Sequence, residues 1–292
     1  MPTWPYHFML LPGCILLAVF SYAPMFGLVM AFQRFTPARG FFNSPFVGLD
    51  NFRYLMTLPN AWPIIRNTLT ISVGKFILGL LVTVTFAILL SEIRTIGLRR
   101  GIQTIVYLPH FLSWVILASA IVNLFNVDGI VPSLLVRIGF PRLNFLGNND
   151  LFQPLLIFTD VWKSFGYGSI VYLAAITSID PGLYEAASID GASWTQKAWH
   201  ITLPGMLTII LLMSVLNISS ILSAGFDQVF NLYSPMVYER GDILDTYIYR
   251  VGLIGRQYSL GATVGLFKSV IGMTLLLCCN QVSKKFTDRR IF

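Results

Sequence analysis

The sequence is poor in charge. Of its 292 residues, only 11% are Asp, Glu, Lys or Arg, less than half of the roughly 25% usual in soluble domains. A chain so short of charge, and 55% hydrophobic, reads as a membrane protein. Cysteine is scarce too: Cys14, Cys278 and Cys279 all lie in apolar runs, with neither a disulfide framework nor metal-ligand spacing. The histidines are His7, His110 and His200, none with a second ligand at helical spacing, which argues against metal. No P-loop is present. Gly74-Lys75 comes nearest, but Leu69 and Phe76 stand where the pattern needs Gly and Ser or Thr, and the pair lies inside an apolar run. No Gly/Ser linker, low-complexity tract or internal repeat divides the chain, so residues 1–292 read as one integral domain. The net charge of +7 does not point to nucleic acid, because the cations cluster beside apolar runs, as orientation in a bilayer requires.

Six apolar segments are long enough to cross about 30 Å of hydrocarbon at roughly 1.5 Å per residue. They are Phe8–Phe32, Pro63–Leu90, Gln103–Phe125, Pro154–Ile176, Pro204–Leu222 and Ala262–Val282. The fold class is therefore all-α, a polytopic membrane protein with six transmembrane helices. No basic residue precedes the first run, which is too long for a cleaved signal peptide and lacks its n-region. A chain whose natural start lies further upstream would look the same. The fifth run is interrupted by Asn217, Ser219 and Ser220, which would have to face protein or water rather than lipid. Arg94, Arg99 and Arg100 follow the second run, and Lys284, Lys285, Arg289 and Arg290 follow the sixth. Six crossings put both clusters on one side, the cytoplasmic side by the positive-inside rule. The outer loops also hold Arg34, Arg39, Arg53 and Arg66, spread over longer stretches.

On that same side lies a polar stretch, residues 177–203, between the fourth and fifth runs. Asp180 is placed to cap a helix that has Pro181 in its first position. Leu183, Ala186 and Ala187 share one face. Gly191 sits where a reversal needs positive φ, and Ser193 with Gln196 has capping-box spacing for a second short helix. Pro204 then opens the next apolar run. A helix–bend–helix with a surface of alanines fits a partner's groove.

Glu185-Ala186-Ala187, three residues, Gly191, nine residues, Ile201, one residue, Leu203-Pro204 resembles, at every fixed position, the EAA loop of binding-protein-dependent ABC importer permeases. The resemblance implies a cytoplasmic loop that docks on an ATP-hydrolysing subunit through Tyr184, Glu185, Ala186, Ala187, Asp190 and Gly191. It implies a non-enzymatic permease in a bacterial cytoplasmic membrane, in contact with lipid. Its partners would be a second, similar permease, two ATP-binding subunits and an extracytoplasmic solute-binding protein that delivers an oligosaccharide. No cofactor would be held by this chain, ATP belonging to the partner subunits. Phe46-Val47-Gly48-Leu49-Asp50-Asn51-Phe52 looks like the element before the second span in sugar-type permeases. Tyr107-Leu108-Pro109-His110-Phe111, Ala224-Gly225-Phe226-Asp227-Gln228-Val229-Phe230 and Asp242-Ile243-Leu244-Asp245-Thr246-Tyr247 resemble the polysaccharide and aldouronate branch, which includes the alginate importer permeases.

The fourth run holds Asp160, Trp162, Lys163, Phe165 and Tyr167. Ionisable residues inside a span usually face a bundle interior or a pathway, and aromatics beside them can stack on sugar rings. Asp160 and Lys163 stand i, i+3 and are expected to pair. Trp162, Tyr167 and Asn217 join them as candidate pathway residues, although interfacial anchoring and interhelical hydrogen bonding compete with that reading. Lys75, Lys163 and Lys268 lie twelve, nine and six residues into their runs from the outer end, roughly 9–18 Å deep. With Asp160 neutralising only Lys163, the other two would be free to attract an acidic cargo. Snorkelling toward the interface is the competing explanation. An ion-coupled secondary transporter of sugars is the alternative class. It would need broken helices near the midplane and usually internal repeats. A membrane-embedded enzyme would need paired carboxylates, yet Asp180, Glu185 and Asp190 are accounted for by capping and docking.

Overall fold

The structure is a computed structural model that describes residues 4–218 and 221–287, without the side chains of Pro5 and 279–287. Ser219, Ser220, Arg289 and Arg290, and the side chains of Cys279, Lys284 and Lys285, lie outside the described residues. Among the described residues there is no β-strand, only an isolated bridge between Gln33 and Phe46.

Helix α1 (Trp4–Leu17) runs on through a π turn and a 3-10 segment to Phe32. A short helix, α2 (Asp50–Thr57), leads to α3 (Ala61–Ser91), whose 31 residues span about 46 Å. Then come α4 (Ile96–Tyr107), α5 (Trp114–Phe125), α6 (Ile130–Arg137) and α7 (Asn149–Thr177). The polar loop forms α8 (Pro181–Ile189), followed by α9 (Trp194–Ile218). The chain ends with α10 (Phe226–Leu232), α11 (Leu244–Tyr247) and α12 (Tyr258–Thr287).

Among the described residues, five helical stretches are long and apolar enough to cross a membrane: Tyr6–Phe32, Ala61–Ser91, Trp114–Arg137, Trp194–Ile218 and Tyr258–Cys278. Helix α7, with 29 residues, has the length, but Asp160 and Lys163 with their small polar neighbours lower its apolarity. Two boundaries differ from the sequence reading. The run Gln103–Phe125 is not one helix; it breaks at Leu108–Ser113. Pro109 has no N–H to give, and Ser113 starts a new helix by accepting from Ile116 N. The second helix of the loop is not short either. It continues into the fifth span through a π turn at Ala198–Thr202, where Leu203 N–H reaches back to Ala198 O. The widened turn absorbs Pro204, which would otherwise press on the preceding carbonyl.

The chain divides into two compact units. One comprises residues 1–62 and 244–270. In it Asn51 Nδ2 donates to Ala31 O and Gln33 O at 2.9 and 3.0 Å, and Phe35 N donates to Ser259 Oγ at 2.8 Å. Phe32 lies against Phe46 and Phe52, so the outer connection folds onto the end of α1. The other unit comprises residues 63–243 and 271–292. It holds two cores: Ile71, Leu117, Ile121, Phe152, Leu156 and Val229 toward one end, and Val84, Ala87, Leu90, Tyr172, Leu173 and Met206 toward the other.

Candidate functional site

The loop after α7 has the local geometry its sequence dictates. Asp180 caps α8 by accepting from Gly182 N at 2.9 Å. Asp190 ends the helix, and Gly191 follows at φ +75°. An added Cβ there would meet nothing within 4 Å, so the glycine is needed for its backbone conformation and not for space. Ser193 and Gln196 close a full capping box. Leu183, Glu185 and Ala186 are exposed, Ala187 is half-buried, and Ile189 stands 87% exposed. Two side-chain bonds join the loop to α9: Tyr184 Oη and Thr202 Oγ1 lie 2.9 Å apart, and Lys197 Nζ donates to Ser188 Oγ at 2.7 Å. Gly205 packs against Ile179, where a Cβ would come within 2.6 Å of Cδ1. Loop and helix are thus one stiff piece with an exposed small-residue face.

A cavity of about 370 Å³ opens between α3, α7 and α9. Ser72, Lys75 and Phe76 line it from α3, Asp160, Ser164, Phe165 and Tyr172 from α7, and Asn217 from α9. The Lys75 ammonium, nearly buried, lies 3.3 Å from Asp160 Oδ1 and donates to Ala224 O at 2.7 Å and to Gln228 Oε1. Gln228 in turn donates to Leu156 O and Thr159 Oγ1, each at 2.8 Å. Gly225, at φ +91°, brings its backbone so close that a Cβ would stand 2.9 Å from Lys75 Nζ. Ser72 is 6% exposed and its Oγ has no partner. The Asn217 amide donates to Met213 O at 2.8 Å. The cavity therefore presents a neutralised ion pair, hydroxyls, an amide and aromatic edges. That inventory suits a polyhydroxylated ligand.

The expected Asp160–Lys163 pair does not form. Asp160 turns to Lys75 on another helix, and Lys163 Nζ instead donates to His110 O at 2.7 Å and Pro109 O at 3.3 Å. Residues three apart on a helix are neighbours, but a long-range partner that also closes the Gln228 knot satisfies Asp160 better. Nor is Lys75 or Lys268 a free cation. Lys268 Nζ lies 2.6 Å from Asp245 Oδ1, in the other unit. A ring of free ammonium groups is thus excluded by the pairing of two of its three members.

Of the pathway candidates, the structure brings Asp160 and Asn217 to one cavity. Trp162 lies elsewhere, in an apolar groove of about 560 Å³ beside Phe125, Phe145 and Phe158. Tyr167 stacks on His110, with ring centroids 4.1 Å apart and planes at 4°. Ser72 and Gln228 are not singled out from sequence as pathway residues, and Lys75 only as a free cation for an acidic cargo. The signal for Gln228 was present in the Ala224–Phe230 string, but its partner on α3 was not.

The family described as "Binding-protein-dependent transport system inner membrane component" matches residues 79–280. The polygalacturonan/rhamnogalacturonan transport system permease protein YteP of Bacillus subtilis (strain 168) is 40% identical over 98% of this chain and 89% of its own length. Protein LplB of the same organism is 37% identical over 98% and 90%. A solved bacterial ABC transporter involved in the import of the acidic polysaccharide alginate contains a chain that superposes with a TM-score of 0.90. That chain is 38% identical, and the match covers 98% of this chain and 96% of that one.

Proposed function

The chain belongs to the binding-protein-dependent transport system inner membrane components, and we propose that it forms half of the membrane pathway of an ATP-driven importer for an acidic oligosaccharide. The polar cavity between α3, α7 and α9 is the observation that carries this reading beyond the family. It is lined by groups that match sugar hydroxyls and C–H faces, at the depth of an ion pair that lipid could not solvate. The Glu185–Gly191 loop would dock on an ATPase subunit through Tyr184, Glu185, Ala186, Ala187, Asp190 and Gly191. Its stiff junction with α9 would carry the ATPase movement into the span beside Asn217. A second permease would complete the pathway, and a binding protein would deliver the cargo. No cofactor is assigned to this chain, ATP being hydrolysed on its partners.

The acidic character of the cargo rests on the polymers that similar transporters carry, polygalacturonan/rhamnogalacturonan and alginate. The lysines no longer support it, since Lys75 and Lys268 are neutralised by Asp160 and Asp245. Alternating access requires only that cargo and ATP each favour one of the two states. The test is uptake by liposomes that hold the whole complex, with binding protein outside and ATP inside. Labelled oligogalacturonate should accumulate only when ATP and binding protein are both present. Accumulation driven by a sodium or proton gradient without ATP would favour the ion-coupled carrier instead.

A further inference from the structure

Lys163 is a buried cation with no carboxylate in ion-pair contact, although the charge of Asp160 still acts on it. It is 8% exposed, and the acid one turn before it is engaged by Lys75. Its ammonium sits instead at the break between α4 and α5. There the Pro109 and His110 carbonyls accept from it at 3.3 and 2.7 Å, and the Trp114 ring centroid lies 5.6 Å away. The break leaves the His110 carbonyl without a backbone donor, while the Pro109 carbonyl also accepts from Leu112 N at 3.2 Å, and in a bilayer a freed carbonyl needs an internal partner. In ion-coupled carriers, unwound carbonyls within the membrane coordinate a mobile cation. A similar set of donors here faces a tethered ammonium.

We propose that Lys163 is a built-in substitute for a bound monovalent cation. It fills a cation site made by the Pro109 and His110 carbonyls and the Trp114 face, and so fixes how α5 leaves α4. It is a positioning residue, not a contact for cargo. Neighbouring turns of α7 reinforce the same joint. Gly166 lets the Val106 carbonyl approach so closely that a Cβ would stand 2.5 Å from its oxygen, and Tyr167 stacks on His110. One turn earlier, Thr159 and Asp160 hold the Gln228–Lys75 knot of the cavity. Helix α5 packs on α10, which carries Gln228. The joint and the cavity wall are therefore set by the same face-to-face packing. Cutting Lys163 back to alanine should open a site of primary-ammonium size that a small cation can enter.

The test uses the assembled complex in nanodiscs with Lys163→Ala and Lys163→Met, at constant ionic strength, with methylammonium or the bulkier choline. Two quantities are read: hydrogen exchange of the amides of residues 110–116, and binding-protein-stimulated ATP hydrolysis. The second readout rests on the importer reading; the first does not, so a failure of one can be told from a failure of the other. In Lys163→Ala, exchange at the joint should rise at least tenfold and hydrolysis fall at least tenfold. Methylammonium should reverse both saturably, choline neither. Lys163→Met, whose apolar side chain occupies the site, should show the same losses without rescue. Wild-type exchange in Lys163→Ala, equal effects of the two amines, or rescue of Lys163→Met would overturn the proposal. Assembly of Lys163→Ala only in methylammonium would support it, and failure to assemble in either amine would contradict it.

Discussion

The Lys75 ammonium lies 3.3 Å from the Asp160 carboxylate, across the gap between α3 and α7. Lys75 also reaches Ala224 O and Gln228 Oε1, so one buried cation ties two long helices to the segment that begins α10. Removing either charge leaves the other unpaired in a low-dielectric setting. Lys75→Met should lower the stability of the detergent-solubilised protein by about 3–5 kcal/mol. The double variant Lys75→Met with Asp160→Asn should lose clearly less than the sum of the singles. A thermal-shift double-mutant cycle reads the coupling, and strict additivity would show that the pair is not a functional unit.

The bend of the Glu185–Gly191 loop is a backbone requirement. Gly191 holds φ +75° with open space around it, so substitutions are ranked by their tolerance of that conformation. Gly191→Asn should be nearly silent, and Gly191→Val should cost about 1–2 kcal/mol locally. Binding-protein-stimulated ATP hydrolysis should fall with Gly191→Val while binding-protein docking persists. Glu185→Lys should do the same through charge, and equal hydrolysis by Gly191→Val and wild type would remove the loop's assigned role.

Two glycines on neighbouring helices are predicted to behave oppositely. A Cβ at Gly74 would stand 2.4 Å from Ile157 Cδ1, the end of a side chain that can swing away. At Gly166 it would stand 2.5 Å from Val106 O, which is backbone. Gly74→Ala should therefore be tolerated within about 1 kcal/mol, and Gly166→Ala should cost about 1–3 kcal/mol by forcing α4 from α7. Melting temperatures of the purified variants check the order. A more damaging Gly74→Ala would contradict the packing described.

Local features were legible in the sequence because their causes are local. Asp180, Pro181, Gly191, Ser193 and Gln196 each act within a few residues, and each adopts the role its type and spacing require. The apolar runs gave the long helices for the same reason. Boundaries failed where tertiary support overrides local signals. Pro109 ended a helix that the hydropathy of Gln103–Phe125 ran straight through, and the Ala198–Thr202 π turn let α9 continue where Pro204 marked a start. The charge pairing failed most clearly. Sequence places Lys163 next to Asp160 and offers nothing about Lys75, which lies 85 residues away and is brought near by folding. Trp162, two residues on from Asp160, points to the other side of the helix, whereas Tyr167, seven residues on, shares the face of Asp160 and is taken up by stacking on His110.

Tyr184 and Thr202 make a further prediction at the junction of loop and span. Their oxygens lie 2.9 Å apart, and Thr202 is buried. Tyr184→Phe removes one bond worth about 1 kcal/mol, a small change in stability. If the junction transmits movement, the number of ATP molecules hydrolysed per oligosaccharide imported should rise measurably while basal hydrolysis stays constant. An unchanged ratio would leave the bond with a purely structural role.

The central claim is that cargo passes the cavity lined by Asp160, Ser164, Phe165 and Asn217. The most direct measurement is ATP-driven uptake of labelled oligogalacturonate by liposomes holding the whole complex with Ser164→Trp, which fills that cavity. Binding-protein docking and basal ATP hydrolysis serve as controls for assembly. Uptake should fall at least tenfold with both controls intact. Uptake at the wild-type rate through the filled cavity would contradict the claim.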